Sequence, residues 1–315
     1  MRRVSLIAIA ILVLLGLAPT GADAKRSALA SSNGVLVFVS DRDGEPDLFT
    51  LDPSTSAVTK LTTRSGASEL QPAWSPNGDR IAYVRRGGIT GRADLWVMKA
   101  SGRGRTRLTS TPVPERDPSW SPDGSHLTYA ARMGPGEPFR IFVANDDGSG
   151  SDQLTTQTAG SADRSPVWSP DGSRIAFVSN RAGGFPELYL MFADGSGVVR
   201  LTTNSSIDAN PSWSPDGTRL LFERCCENGT SDLLTMDVAT RAEANLTPSS
   251  TQQDFDPVWS PDGTRIAFVS FEIGQGNLDV WVMNADGTAP MRLTQEAGPD
   301  LAPHWQPIPA RTIGS

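Results

Sequence analysis

Histidine and cysteine are nearly missing from this chain, whose 315 residues hold 2 of each. Two histidines cannot build a three-histidine metal centre, and two cysteines cannot build a disulfide framework or a four-cysteine zinc site. Lysine is scarce as well: Lys25, Lys60 and Lys99 are the only lysines among 28 basic residues. The formal net charge is −7. With no basic field to attract phosphate backbones, nucleic acid is not expected as a partner. No Gly-x-Ser-x-Gly segment occurs, so a hydrolase nucleophile turn is missing. Helical apolar periodicity is also lacking. Beyond Leu17 no apolar run approaches the ~20 residues that a membrane-spanning helix needs.

Turn formers are abundant instead, with 30 Gly and 24 Pro. A hydrophobic share of 38% is enough for a packed core. At the N-terminus, Arg2 and Arg3 precede an apolar run from Val4 to Leu17, and Ala22-Asp23-Ala24 follows. That pattern predicts a secretory signal over residues 1–24, with a retained anchor as its alternative. A secreted or periplasmic protein without a membrane span is then expected, and a lipoprotein is not, because no cysteine follows the cleavage site. Residues 25–33 read as a short linker.

The chain is repetitive. Pro-x-Trp occurs at Pro72–Trp74, Pro118–Trp120, Pro166–Trp168, Pro211–Trp213, Pro257–Trp259 and Pro303–Trp305. Five copies continue as Ser-Pro-Asp/Asn-Gly, and a Leu-Thr pair recurs in phase at Leu61, Leu108, Leu154, Leu201, Leu246 and Leu293. Each repeat reads as four short strands. Pro-x-Trp opens the first, where a missing N–H is harmless, and an Asp-Gly hairpin turn follows. A β-rich run such as Ile175–Val178 gives the second strand. An apolar run such as Leu95–Met98 gives the third, and a short segment ending in Leu-Thr the fourth. Four strands per repeat predict an all-β fold, a six-bladed β-propeller over residues 34–307 with a tail at 308–315. The last Pro-x-Trp lacks a second strand, and the segment Gly34–Ser40 lacks a first. Pairing the two would close the ring and leave no open edge.

These repeats resemble the WD40-like PD40 propellers of the TolB family. The shared pattern is Leu-Thr, an acidic residue, Pro-x-Trp-Ser-Pro-Asp-Gly, then Asp/Glu-Leu-Trp/Tyr-x-Met-x-Ala-Asp-Gly, across residues 34–306. The resemblance implies a propeller whose channel mouth receives extended peptide segments of protein partners. The same blades occur in peptidase-associated propellers and sugar lyases, so they specify the fold more than the function. TolB carries a smaller α/β domain before its propeller. None is expected here, since only residues 25–33 separate the leader from the first blade, and no hydrolase domain is expected after it.

Three residues before each Pro-x-Trp stands a carboxylate: Glu69, Glu115, Asp163, Asp208, Asp254 and Asp300. Read as a loop entering the innermost strand, this position would ring one mouth of the channel. One reading makes each carboxylate a cap that fixes its loop or the next blade. The other makes the ring a site for a cation or a basic peptide end, where oxygen ligands would suit Ca²⁺ or Mg²⁺, although no cofactor is required. Gln71, Asp117, Asn210 and Asp256, just before the prolines, would add polar groups nearby. The tryptophans are expected to pack between blades. His304, in the closing strand, could be a base or ligand near the channel. The Asp-Gly turns fail calcium-loop spacing and read as turn chemistry. Adjacent Cys225 and Cys226 are either a vicinal disulfide or two thiols. The loops that vary in sequence share a face with the carboxylates, so the binding site is expected there. A monomeric, non-catalytic scaffold binding a protein or peptide is the expected function. A metal-dependent enzyme acting on saccharide or peptide in the carboxylate-lined channel is the alternative.

Overall fold

The computed structural model describes residues 32–63, 66–87, 92–156, 160–225, 230–248, 252–272 and 276–308. The leader at 1–24 and most of the linker lie outside them, as does Cys226. Six four-stranded antiparallel sheets are present, and no helix occurs among the described residues. Blade one joins both ends of the chain: Asp300–Ile308 is its innermost strand, followed outward by Ser32–Ser40, Asp47–Asp52 and Ala57–Lys60. Blade two holds Ala67–Trp74, Arg80–Gly87, Arg92–Lys99 and Thr106–Arg107. Blade three holds Glu115–Trp120, His126–Arg132, Phe139–Asn145 and Asp152–Gln153. Blades four to six repeat this order from Asp163–Trp168, Ile207–Trp213 and Gln252–Trp259. The innermost strands neighbour one another in a closed cycle. The seam pairs Ser40 with Asp300, Val37 with His304 and Leu36 with Trp305, as the complementary ends predicted.

Second strands such as that of blade four read as continuous apolar runs because both faces of a blade are covered by its neighbours. Ile175, Ala176, Phe177 and Val178 are all buried. The tryptophans fill the seams between blades. Trp74 of blade two packs with Val37, Val39 and Leu48 of blade one, and Trp305 packs with Val280 and Val282 of blade six. Arg80 and Arg219 stack over Trp120 and Trp259, at 4.6 and 4.8 Å from the ring centroids. The Asp-Gly turns are closed by their own side chains: Ser121 Oγ donates to Asp123 Oδ1 at 2.5 Å, and the Ser125 amide donates to the same oxygen at 3.0 Å. The Ser121 hydroxyl and that amide hold Asp123 down at about 2.

The innermost strands differ from expectation. Proline does not open them; it sits mid-strand at a bulge, where the register shifts in every blade. The innermost strand is an edge strand facing the channel, so the absent N–H removes no ladder bond. The residue before each proline is left-handed. Gln71, Asp117, Ser165, Asn210, Asp256 and Ala302 have φ between 47° and 56°. Such a conformation costs about 1–3 kcal/mol for a residue other than glycine and persists only where its surroundings enforce it.

The Leu-Thr pair also has a physical role. Just past each fourth strand, the threonine hydroxyl accepts a third-strand amide of its own blade. Leu48 donates to Thr62, Leu95 to Thr109, Ile141 to Thr155, Leu188 to Thr202, Leu233 to Thr247 and Val280 to Thr294, all at 2.8–3.0 Å.

Candidate functional site

Because the strands begin earlier than expected, the six repeated carboxylates lie inside them, between blades. Glu69, Glu115, Asp163, Asp208 and Asp300 are 0% exposed and Asp254 is 2% exposed. Arginines clamp three of them. Arg42 Nη2 donates to both oxygens of Asp300, at 3.0 and 2.9 Å. Arg181 Nη2 does the same to Asp163, at 3.0 Å each. Arg224 reaches Asp208 through Nε at 2.7 Å and Nη2 at 3.0 Å. Arg85 only approaches Glu69, at 3.4 Å, and burial, helped by the Asp47 carboxyl, pushes Glu69 above its ordinary range. Glu115 accepts from Thr111 at 2.7 Å and from the hydroxyl of Thr109. Thr109 belongs to the preceding blade, so the Leu-Thr pair and the repeated acid form one device between blades. Burial raises Glu115 despite those bonds, and it pushes Asp254 up to about 6 despite the hydroxyls of Ser270 and Thr247.

This arrangement does not bring the six carboxylates to a common centre. Among the described residues no three His, Cys, Asp or Glu side chains gather into a group that could hold a metal ion. The geometry agrees with the reading in which each acid fixes its loop or the next blade.

The channel is lined instead by the left-handed residues before the prolines. Their side chains and amides form a belt running from blade to blade. Asp117 N donates to Gln71 Oε1 at 3.1 Å, Ser165 N to Asp117 Oδ2 at 3.1 Å and Ala302 N to Asp256 Oδ2 at 3.2 Å. Gln71 Nε2 also donates to Asp117, and Asn210 Nδ2 donates to Asp256 Oδ1 at 2.8 Å. The belt supplies the surroundings that hold six left-handed residues in place. It also accepts Glu223, which takes the Asp256 amide at 2.9 Å. Burial and the Asp256 charge raise Glu223, and burial raises Asp256.

All six belt residues border cavities on both sides. The one toward the Asp-Gly turns has a volume of about 330 Å³ and is lined by the Pro-x-Trp segments and His304. The Trp74 amide donates to His304 Nδ1 at 3.4 Å. Burial drives His304 down to about 4, so it is neutral at physiological pH. The other cavity, about 410 Å³, lies toward the variable loops and is bordered by Arg116, Arg164 and Asn180. The loops of blades three and four on that side expose Met133 (63%) and Phe185 (49%). Cys225, at the end of the second strand of blade five, is disulfide-bonded, and Cys226 lies outside the described residues.

Two departures from the repeat could have flagged this region. Glu223 stands where other second strands carry Val39, Val84, Ala130, Val178 and Val269. Arg116 and Arg164 stand where other innermost strands carry Leu70, Ala209, Phe255 and Leu301.

Six blades around a channel belted at its middle define a six-bladed β-propeller of the TolB type. A family model described as the TolB beta propeller domain, PD40, matches residues 20–158 and 136–255. The chain belongs to that family. Over 78 residues it is 38% identical to the Tol-Pal system protein TolB of Anaeromyxobacter dehalogenans strain 2CP-C, a stretch covering 24% of this chain and 17% of that protein. The match thus spans less than a fifth of that relative. Among solved structures, TolB from Acinetobacter baumannii superposes with a TM-score of 0.74 at 24% identity, covering 87% of this chain and 66% of that one. A putative TolB from Agrobacterium tumefaciens gives 0.68 at 18% identity, covering 89% and 100%. At these identities the structural likeness concerns the fold. No helix among the described residues is long and apolar enough to cross a membrane.

Proposed function

We propose that this chain is an exported, non-catalytic propeller scaffold that binds a segment of a protein partner at the loop-side mouth of its channel. The observation that carries this reading is the asymmetry of that mouth. The Asp-Gly turns on the opposite face satisfy themselves with repeated internal hydrogen bonds. The loop face of blades three and four presents Met133, Phe185 and a polar chamber bordered by arginines. Exposed Met, aromatic and Arg side chains are the types enriched where proteins meet. The family name points the same way, since the relatives are Tol-Pal system proteins. Export rests on the leader pattern at residues 1–24. The enzyme reading has less support, because three of the six repeated acids are clamped by arginines.

Photo-crosslinking tests the proposal. A crosslinking residue replaces Phe185 on the loop face in one variant, and Val198 on the turn side of the same blade in another. Discrete, saturable adducts at position 185 and none at 198 are expected in an extract of the producing cell. Equal labelling at both positions, or none at 185, would sink the scaffold reading.

A further inference from the structure

We propose that the loop-side chamber is a carboxylate-binding subsite: Arg164 and Arg116, with Arg132 behind them, receive an acidic group of the bound peptide segment. This rests on the peptide-binding reading above and names the chemistry of what enters. The protein is acidic overall, yet three guanidiniums converge on one ring. Arg132 and Arg116, in blade three, and Arg164, in blade four, stand 4.8, 5.4 and 5.2 Å from the centroid of Phe139. Stacking on an aromatic face orients each guanidinium and leaves its N–H groups at the ring edge free to donate.

Their compensation is incomplete. Arg116 lies 3.3 Å from Asp117, but that carboxylate already accepts the Ser165 amide and the Gln71 side chain. Among the described residues, no carboxylate pairs with Arg132 or Arg164, and Arg132 Nε is buried without a hydrogen-bond partner. This contrasts with Arg42, Arg181 and Arg224, each of which clamps a buried acid. Burial and the nearby charge of Arg116 also hold Arg164 below its ordinary value, despite the opposing charge of Asp117. Asn180 adds a donor: its Oδ1 accepts the Ala162 amide at 2.7 Å, leaving the Nδ2 hydrogens available at the chamber wall. A carboxylate presents two oxygens to such a set, and guanidinium forks bind it in matched pairs. Arg116 and Arg164 occupy a position that is apolar in the other four blades, where Leu70, Ala209, Phe255 and Leu301 stand.

Fluorescence anisotropy of the mature chain tests the assignment. The probes are a labelled peptide containing three glutamates, its counterpart with three glutamines, and free phosphate as a competitor. The acidic peptide is expected to bind at least tenfold more tightly than the glutamine peptide. Arg164→Gln, and separately Arg132→Gln, should abolish that preference without changing the melting temperature, whereas Arg219→Gln, which removes the cation stacked on Trp259, should leave it intact. Rising salt should weaken the acidic peptide alone. Equal binding of both peptides overturns the carboxylate subsite while leaving the scaffold standing, because the crosslinks at position 185 report on the scaffold independently. No binding of the acidic peptide, or displacement of neither peptide but direct phosphate binding that depends on Arg164, also overturns it.

Discussion

Blade four and blade six place the same repeated acid in the same buried position and hold it by different chemistry. In blade four, Arg181 reaches back from the loop and donates to both oxygens of Asp163. In blade six, Asp254 has hydroxyls beside it and, among the described residues, no ion-pairing cation, and burial pushes it to about 6. The difference lies in one private residue of each blade: the position of Arg181 is taken by Glu272 in blade six. The repeat dictates a hydrogen-bonding carboxyl group between blades, and each blade then decides separately how that group's charge is met.

Removing the charge in blade four gives the sharpest break in the comparison. Asp163→Asn leaves the Arg181 guanidinium without its partner in a largely buried seam. A loss of about 3 kcal/mol is expected in urea unfolding at pH 7, and a loss under about 1 kcal/mol would show that the clamp is incidental. Asp254→Asn should behave in the opposite sense. The fold holds the Asp254 proton more tightly than the unfolded chain does, where the ordinary value is 3.8. That contribution to stability is complete below about pH 4 and is lost as pH rises through about 6. Relative to the parent, the Asn variant should gain roughly 2 kcal/mol between pH 4 and pH 7.5, read as diverging melting temperatures. Parallel pH profiles would contradict the assignment. The smallest effect concerns calcium: millimolar Ca²⁺ should leave the melting temperature of the parent unchanged. A saturable rise that disappears in Asp163→Asn and Asp254→Asn would restore the ring as a cation site.

Much of the architecture could be read in the residues before any coordinates. Pro-x-Trp and Leu-Thr in phase gave six blades, and the unmatched ends gave the seam between Asp300 and Ser40. The missed features share a physical cause. A left-handed residue before proline has no sequence signature when Gln, Asp, Ser, Asn and Ala all occupy it, because hydrogen bonds from the next blade enforce the conformation rather than local propensity. Sequence pattern alone does not reveal the bulge, so it places the strand start too late and the carboxylates on loops at the mouth. The arginine chamber is not legible in the repeat for a related reason: Arg116, Arg164 and Glu223 are informative because they do not repeat.

The seam in blade one has a consequence for the history of each molecule. Its inner strand and its outer three come from opposite ends of the described chain, so the ring is fastened by the most distant strand pairing among the described residues. Until Asp300–Ile308 arrives, Ser32–Ser40 has an inner edge with no neighbour, and loop closure over nearly the whole chain must precede the last ladder. A polypeptide made from its N-terminus therefore finishes folding only after its final strand is available, and the unfastened interval is when edge pairing with another copy competes most strongly. The closing strand thus acts as a latch that sets the timing of maturation.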